Sequence, residues 1–160
     1  MHFRFAEKKD SAFITRVINS AFRRAESFFI DRDRIDETTV LKLMQTGQFL
    51  TAAQNDEILG CVYLEARGER SYLGLLSVDP SRQRSGLGSM LMDAAEKQCR
   101  ENGYKFMDLQ IVNLRKELPD FYRRRGYVET GTAPFTLDIP TRIPCHFIKM
   151  SKPLGNDVEN

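Results

Sequence analysis

The stretch SVDPSRQRSGLGSMLM, residues 77–92, decides the fold of this chain. An apolar strand pattern ends at Val78, a proline turn follows, and an amphipathic helix pattern begins near Leu87. Gly86 and Gly88 stand at the start of that helix, where backbone N–H groups lack partners and carry about half a positive charge. The stretch therefore suits either a simple turn or a site where bare backbone holds an anion such as a pyrophosphate.

Two common phosphate-binding patterns do not fit this loop. A P-loop requires a lysine after its second glycine, whereas Ser89 follows Gly88. A dinucleotide-binding fingerprint requires a third glycine where Leu91 stands. Arg82 and Arg84 nevertheless add positive charge beside the helix start, so the loop alone leaves the turn and the anion site equally open.

The composition indicates one globular domain with its own core. The chain has 160 residues, of which 41% are hydrophobic and 29% are charged. A net charge of +2 disfavours nucleic acid as the main partner. Three isolated cysteines and two histidines offer no metal-ligand spacing, so we expect no metal. Because no signal-peptide core and no apolar run of about 18 residues is present, we expect no membrane association and a cytoplasmic location.

Hydrophobic periodicity predicts a mixed α/β order along the chain. Strands are predicted at 2–6, 48–53, 58–66, 72–78, 105–112, 127–137 and 143–150. Helices are predicted from 10 to about 24 and at 37–45 and 87–101, with part of 114–125 helical and 25–36 a loop. The unit from Tyr72 to Val112 should be a right-handed crossover between two parallel strands. Residues 1–153 are predicted to form the domain, and 154–160 a frayed tail.

Three sequence blocks together resemble the GNAT acetyltransferase superfamily. QRSGLG at 83–88 is similar to the family's Gln/Arg-x-x-Gly-x-Gly/Ala signature and stands, as expected, between a strand and a helix. Asn113 follows a strand, FYRRRGY at 121–127 is similar to a second family block, and 148–154 is similar to the last strand of many members. The resemblance covers almost the whole chain. It implies a single-domain α/β fold, a mixed twisted sheet of about seven strands with about four helices, whose central parallel pair splays around CoA.

The resemblance implies acetyl-CoA as cosubstrate and no metal. Two strands that splay leave backbone N–H and C=O groups that a ligand carrying its own amides can satisfy. By position, the loop amides would hold the pyrophosphate and the strand before the loop would pair with the pantetheine. The cofactor-binding residues so implied are Leu76, Ser77, Val78, Arg82, Gln83, Arg84, Ser85, Gly86, Leu87, Gly88, Ser89, Asn113 and Tyr122.

Tyr122 matches the tyrosine that acts as general acid in the family, four residues before Gly126. A phenol can protonate a departing thiolate, because their ordinary pKa values differ by only about 1.5 units. The alternative is a core aromatic, since Leu118, Phe121 and Tyr122 share one face of a helix.

The general base is less clearly marked. Some family members carry a glutamate on the strand before the glycine loop, but here the strand at 72–77 contains no carboxylate. Glu65 on the adjacent strand is the first candidate, acting directly or through water, and its alternative is a solvated strand residue. Glu26 and Asp31 are further candidates.

The resemblance places acceptor contacts in the loop between the first two helices. Glu26, Phe28, Phe29 and Asp31 are the candidate substrate residues there. Their acids, aromatics and neighbouring arginines favour direct transfer to the primary amine of a small amino-acid-like molecule. The alternatives are a protein or peptide amine, or a non-catalytic CoA-binding regulatory module. A homodimer is compatible with the family, and the arginines at 123–125 are interpreted as lying near the cofactor phosphates or in solvent.

Overall fold

Alternating and periodic apolar residues form a seven-stranded sheet with four α-helices in residues 1–155, the part of the chain that the computed structural model describes. The strands are β1 His2–Phe5, β2 Gln48–Gln54, β3 Glu57–Arg67, β4 Arg70–Val78, β5 Phe106–Val112, β6 Val128–Pro134 and β7 His146–Pro153. The α-helices are α1 Ser11–Glu26, α2 Glu37–Thr46, α3 Leu87–Glu101 and α4 Leu118–Arg124. The predicted α/β class and mixed sheet are confirmed.

The strand order is β1-β2-β3-β4-β5-β7-β6. Strands β1 to β4 form an antiparallel series in which α1 and α2 connect β1 to β2, while tight turns join β2 to β3 and β3 to β4. Helix α3 connects β4 to its parallel neighbour β5. Strand β7 lies antiparallel between β5 and β6. The parallel β4–β5 pair confirms the arrangement predicted for 72–112.

The parallel pair separates after a short stretch of pairing. Three pairs of residues face each other across it, namely Arg70 with Phe106, Ser71 with Met107 and Tyr72 with Asp108. The rest of β4 then pairs with β3 alone, and β5 with β7 alone. A bulge sharpens this divergence, because Leu75 has a φ of 55° and the register between β3 and β4 shifts beside it. The predicted splay is therefore present.

Helices cover both faces of the sheet. Alternate residues of β3 belong to different clusters: Val62 packs with Leu91 and Met92 of α3, whereas Cys61 packs with α1 and α2. The sheet is thus buried between α3 on one face and α1 with α2 on the other. This leaves the opening between β4 and β5 as the accessible interior of the fold.

Two boundaries differ from the predictions. Helix α1 continues to Glu26, past the expected end near Arg24, because no glycine or proline interrupts it and Ile30 N–H still bonds the Glu26 carbonyl at 2.9 Å. At the other end, Leu154 is 4% exposed and its carbonyl accepts a 2.6 Å hydrogen bond from Arg100 Nε. Packing therefore extends one residue beyond the predicted domain end, and residues 156–160 of the predicted tail lie outside the described part.

Candidate active site

A cavity of about 1090 Å³ opens where β4 and β5 diverge. Its walls include Leu73–Leu76 of β4, Leu109–Val112 of β5, Glu26 at the end of α1 and Tyr122 of α4. Gly88, in the first turn of α3, also lines it. This volume exceeds the roughly 300–1,000 Å³ typical of sites for one drug-sized ligand, so the cavity has room for two reactants.

The glycine loop presents free backbone amides beside this cavity. Gly86 has a φ of 82° and precedes the first turn of α3, and Arg84 has a φ of 66°. The loop is held by Gln83, whose Nε2 donates to the Val78 carbonyl at 3.1 Å. Within residues 1–155, no acceptor receives the amides of Arg84, Gly86, Leu87, Gly88 and Ser89. These amides, at the positive end of the helix dipole, can bind an anion.

The two glycines serve different purposes. Gly86 needs its freedom because its φ lies in the left-handed region. Gly88 sits in regular helix, and a Cβ added there would meet only Val78 Cγ2 at 3.8 Å, an ordinary contact. The fold therefore does not require glycine at 88. The missing side chain leaves cavity space directly against the free amides, which fits a ligand that approaches the backbone closely.

The other residues implied for cofactor binding divide into two groups. Leu76, Val78, Gln83, Gly88 and Tyr122 line the cavity with their own atoms. The rest lie around it without lining it, namely Ser77, Arg82, Arg84, Ser85, Gly86, Leu87, Ser89 and Asn113. Two buried members act in the fold, since the Ser77 hydroxyl donates to the Leu75 carbonyl at 2.9 Å and the Leu87 side chain joins the core.

Asn113 fastens two strands together. Its Oδ1 accepts the His146 N–H at 2.9 Å, and its own N–H donates to the His146 carbonyl at 2.9 Å. These bonds hold the start of β7 against the end of β5. The carbonyl side of the amide is therefore occupied within the protein rather than directed at the cavity, which differs from the predicted role facing the cofactor.

Tyr122 combines a packed ring with a free hydroxyl. Its ring makes edge contacts with Phe121 and Tyr127 at centroid distances of 5.0 and 5.6 Å, and the residue is 5% exposed. The hydroxyl has no hydrogen-bond partner in residues 1–155, although it belongs to a residue of the cavity wall. Burial raises the pKa of Tyr122 to about 12, against the opposing charges of Arg115 and Arg125. The phenol therefore carries its proton at neutral pH and can donate it into the cavity.

Glu26 is a buried carboxylate with one unoccupied oxygen. The residue is 3% exposed, and its Oε2 accepts a hydrogen bond from Arg115 Nη1 at 3.0 Å. Its Oε1 has no partner within the described residues. Burial raises the pKa of Glu26, with the charges of Arg115 and Arg34 acting in the opposite direction. Glu26 is thus a carboxylate of the cavity wall with a raised pKa and one unpaired oxygen, which makes it a candidate proton acceptor, and that oxygen is itself buried in the free protein.

Glu65 lines the same cavity but is already occupied. Its Oε1 accepts the Tyr63 hydroxyl at 2.7 Å, and its Oε2 accepts Arg67 Nε at 2.6 Å. The hydrogen bonds from Tyr63 and Arg67 lower the pKa of Glu65. Its occupied oxygens and its lowered pKa make Glu65 a weaker proton acceptor than Glu26. The geometry therefore reverses the order in which the sequence ranked these two glutamates.

Only one of the four candidate substrate residues reaches the cavity. Glu26 does, whereas Phe28 is half exposed, Phe29 is fully buried and Asp31 is exposed, and none of these three lines the wall. The segment is held against the chain before β7, where Asp31 pairs with Arg142 at 3.2 Å. Phe28, Phe29 and Asp31 therefore support this loop rather than meet a ligand in the cavity.

The arginine run at 123–125 is largely neutralised. Arg123 pairs with Asp120 and Glu129, and Arg125 pairs with Asp93 at 2.5 Å. The interpretation that this run lies near the cofactor phosphates or in solvent fits Arg123 and Arg124, which are exposed, whereas the Arg125 side chain is mostly buried against Asp93 and Glu96. The pairing also weakens the case for a nucleic-acid surface here.

Other chemistries find little support in the described part of the chain. Burial raises the pKa of the Cys61 thiol to about 12, so it is no ready nucleophile. Residues 1–155 contain no cluster of three or more side chains that could hold a metal ion. Among the described helices, none is long and apolar enough to cross a membrane.

Comparison with known proteins identifies a matching family. The family model for the acetyltransferase (GNAT) domain matches residues 19–139, which include both the glycine loop and Tyr122. No curated protein sequence gives a significant match.

Several solved structures share the fold over nearly the whole chain. The ribosomal-protein-S18-alanine N-acetyltransferase of Escherichia coli is 18% identical with a TM-score of 0.76, covering 99% of this chain and 97% of its own. The ribosomal-protein-alanine N-acetyltransferase of Brucella melitensis is 15% identical with a TM-score of 0.77, covering 96% and 99%. An aminoglycoside 6'-N-acetyltransferase complexed with coenzyme A is 17% identical with a TM-score of 0.74, covering 97% and 98%.

Proposed function

The chain belongs to the GNAT acetyltransferase family, and we propose that it moves an acetyl group from acetyl-CoA directly to the primary amine of a small amino-acid-like molecule. The observation that carries the proposal is the meeting of Glu26, Tyr122 and Gly88 in the wall of one cavity. Together they provide a proton acceptor, a proton donor and a site for an anion.

The glycine loop and the free edge of β4 fit the cosubstrate. Acetyl-CoA supplies the activated acetyl thioester. The unpaired amides of Arg84 and of residues 86–89 bind its pyrophosphate, and Arg82 and Arg84 add positive charge nearby. The β4 edge at 76–78 has no partner strand on the cavity side, so its backbone groups pair with the pantetheine amides.

Glu26 and Tyr122 divide the proton transfers between them. Glu26 Oε1 accepts a proton from the acceptor ammonium, directly or through one water, and so frees the lone pair that attacks. The Tyr122 hydroxyl donates its proton to the departing sulfur. The pKa of about 12 at Tyr122 does not prevent this, because the same burial also raises the pKa of a thiol formed beside it.

A thermal-shift titration with acetyl-CoA tests the proposal without knowledge of the acceptor. Binding to the folded state alone stabilises it by roughly 2.7 kcal/mol at a ligand concentration of 100 times Kd. For a chain of this size, that corresponds to a rise in Tm of several degrees. Absence of any rise at millimolar acetyl-CoA would contradict the proposed function.

The variant Gly88→Ala should separate ligand binding from folding. We expect about tenfold weaker binding of acetyl-CoA, equivalent to roughly 1.4 kcal/mol, because the new methyl group occupies the space beside the free amides. The Tm of the free protein should not fall, since alanine favours a helix and the fold has room for it.

The comparison variant Gly86→Ala should lower the stability of the free protein. Its φ of 82° is unfavourable for alanine, which costs on the order of 1 kcal/mol of folding stability. If Gly88→Ala bound acetyl-CoA as tightly as the wild type, the glycine loop would not be part of the acetyl-CoA binding site.

A further inference from the structure

Arg34 is a cavity arginine whose charge has no acidic partner. The residue is half-buried and lines the cavity, with its guanidinium 5.2 Å from the centroid of the Phe22 ring. Within residues 1–155, that guanidinium makes no ion pair and no hydrogen bond. A charge removed from water without a counter-ion is costly, so the site is set up for an anion that arrives with a ligand.

The backbone around Arg34 is held firmly. Asn19 Oδ1 accepts the N–H groups of Arg34 and Ile35 at 2.9 and 3.0 Å, and Asn19 Nδ2 donates to the Ile35 carbonyl at 2.8 Å. Three hydrogen bonds from one α1 side chain thus fix the place from which the Arg34 side chain enters the cavity. Such preorganisation reduces the cost of ordering a binding residue.

The other arginines of the cavity wall differ from Arg34. Arg67 is paired with Glu65, and Arg115 with Glu26 and Glu117. Arg24 and Arg32 are exposed, where water solvates their charge. Burial lowers the pKa of Arg34, while the nearby negative charge of Glu26 acts against that shift. Glu26 and Arg34 both line this cavity, so they present opposite charges to a ligand within it.

We propose that Arg34 binds the carboxylate of the acceptor, which makes the acceptor a zwitterion with its amine at Glu26. This inference rests on the acetyl transfer proposed above and defines its substrate class. A guanidinium suits this role because it offers two parallel N–H donors to the two oxygens of a carboxylate. A molecule carrying both an ammonium and a carboxylate, such as an amino acid, matches both charges.

The test compares acids with their primary amides. The standard amino acids, each paired with its amide, are assayed for acetyl-CoA-dependent release of CoA by the wild type and by Arg34→Gln. For the preferred acceptor, we expect kcat/KM to be roughly 10- to 100-fold higher for the acid than for the amide, as a charge-assisted hydrogen bond implies. Amide formation lowers the pKa of the amine by removing the carboxylate charge, so amine reactivity alone would favour the amide.

Arg34→Gln should bring that ratio close to one, mainly through a higher KM for the acid, with the amide changed by less than about threefold. Arg34→Lys should restore part of the preference for the acid over the amide, since lysine keeps the positive charge but lacks the two parallel N–H donors of a guanidinium. Arg16→Gln is the matched control, because Arg16 lies 5.0 Å from the Phe13 ring outside the cavity and should leave the ratio unchanged.

Three results would overturn the inference. They are equal activity on acids and amides, an equal loss on both in Arg34→Gln, or a loss of acetyl-CoA affinity in that variant, which would assign Arg34 to a phosphate. Acetylation of amides as fast as acids would leave acetyl transfer standing and remove only the carboxylate contact. Failure of the wild type to acetylate any amine, including peptides with a free N-terminal amine, would contradict both proposals.

Discussion

Replacing Glu26 by glutamine is expected to lower kcat by at least about 100-fold, the usual scale for a lost general base. Glutamine has nearly the same shape and keeps an oxygen that can accept the hydrogen bond from Arg115 Nη1. It cannot accept a proton at the position of the free Oε1. The substitution therefore removes the chemistry while the cavity wall stays in place.

The pH dependence gives this prediction a second readout. As pH falls, protonation of Glu26 should reduce kcat/KM in the wild type, at a pH above the ordinary range of a glutamate because burial raises its pKa. This acid limb should disappear from the residual activity of Glu26→Gln. Rates measured across the acid range with a saturating acceptor and with a dilute one would locate the limb in the free enzyme or in the complex.

Glu65→Gln is the matched control, because Glu65 also lines the cavity. Because both oxygens of Glu65 are engaged by Tyr63 and Arg67, we expect less than about a fivefold change in kcat. Loss of activity in Glu65→Gln together with an active Glu26→Gln would identify Glu65 as the base, as the sequence first indicated.

Stability should move in the direction opposite to activity. A group whose folded pKa is raised contributes stability that is fully present below its unfolded pKa and is lost as pH rises through the folded pKa. Ionised Glu26 therefore destabilises the fold at neutral pH. We expect Glu26→Gln to have a Tm at least equal to that of the wild type at pH 7.5, with a smaller difference near pH 4.5. Melting curves at the two values measure this.

Tyr122→Phe is expected to lower kcat by about 100-fold while the Kd for CoA stays within about twofold of the wild type. The ring contacts with Phe121 and Tyr127 remain. The lost hydroxyl leaves no buried group unpaired, because it has no hydrogen-bond partner among the described residues. The Tm should therefore stay close to that of the wild type.

A second tyrosine provides the control for this substitution. Tyr127 is 1% exposed, does not line the cavity, and its hydroxyl donates to Glu96 Oε2 at 2.9 Å. Tyr127→Phe should cost roughly 1–3 kcal/mol of stability and leave kcat near the wild-type value. If Tyr122→Phe kept full activity, Tyr122 would be a packing residue and the thiolate would leave without its help.

Local patterns were sufficient to predict the frame of the site. The runs rich in Leu, Val, Ile, Tyr and Cys that form β3 and β4, the glycines before α3 and the crossover to β5 are all short-range features, and each predicted its element correctly. Such features depend on neighbours in sequence, which is the information that periodicity contains. The free loop amides follow from them, whereas the splayed pair was predicted from the family resemblance.

The choice of base depends on partners that lie far away in the chain. Glu26 owes its raised pKa to burial, and its one paired oxygen is held by Arg115, 89 residues distant, which no local pattern connects to it. For Glu65 a signal was present, since alternation places Tyr63, Glu65 and Arg67 on one face of β3. That spacing indicates a carboxylate already supplied with donors, and it argues against Glu65 as a free base.

The start of the acceptor loop was placed too early, because α1 runs two residues beyond its predicted end. With α1 expected to finish near Arg24, the next residues looked like an open loop facing a substrate. Glu26, now the last residue of α1, is buried, and Phe29 beyond the helix belongs to a separate cluster with Val112 and Phe147. Arg34, with no sequence motif of its own, became visible only through its burial and its missing partner.

Direct transfer from acetyl-CoA to an amine is tested most directly by following the acetyl group itself. The wild type is incubated with acetyl-CoA carrying an isotopic label in the acetyl group and with the amino-acid mixture, and both the small molecules and the protein are analysed by mass spectrometry. We predict a labelled N-acetyl amine that forms catalytically and nearly vanishes in Glu26→Gln and Tyr122→Phe, with no label on the protein. Bound acetyl-CoA without any labelled amine, or label retained on a cysteine of the chain, would contradict the account.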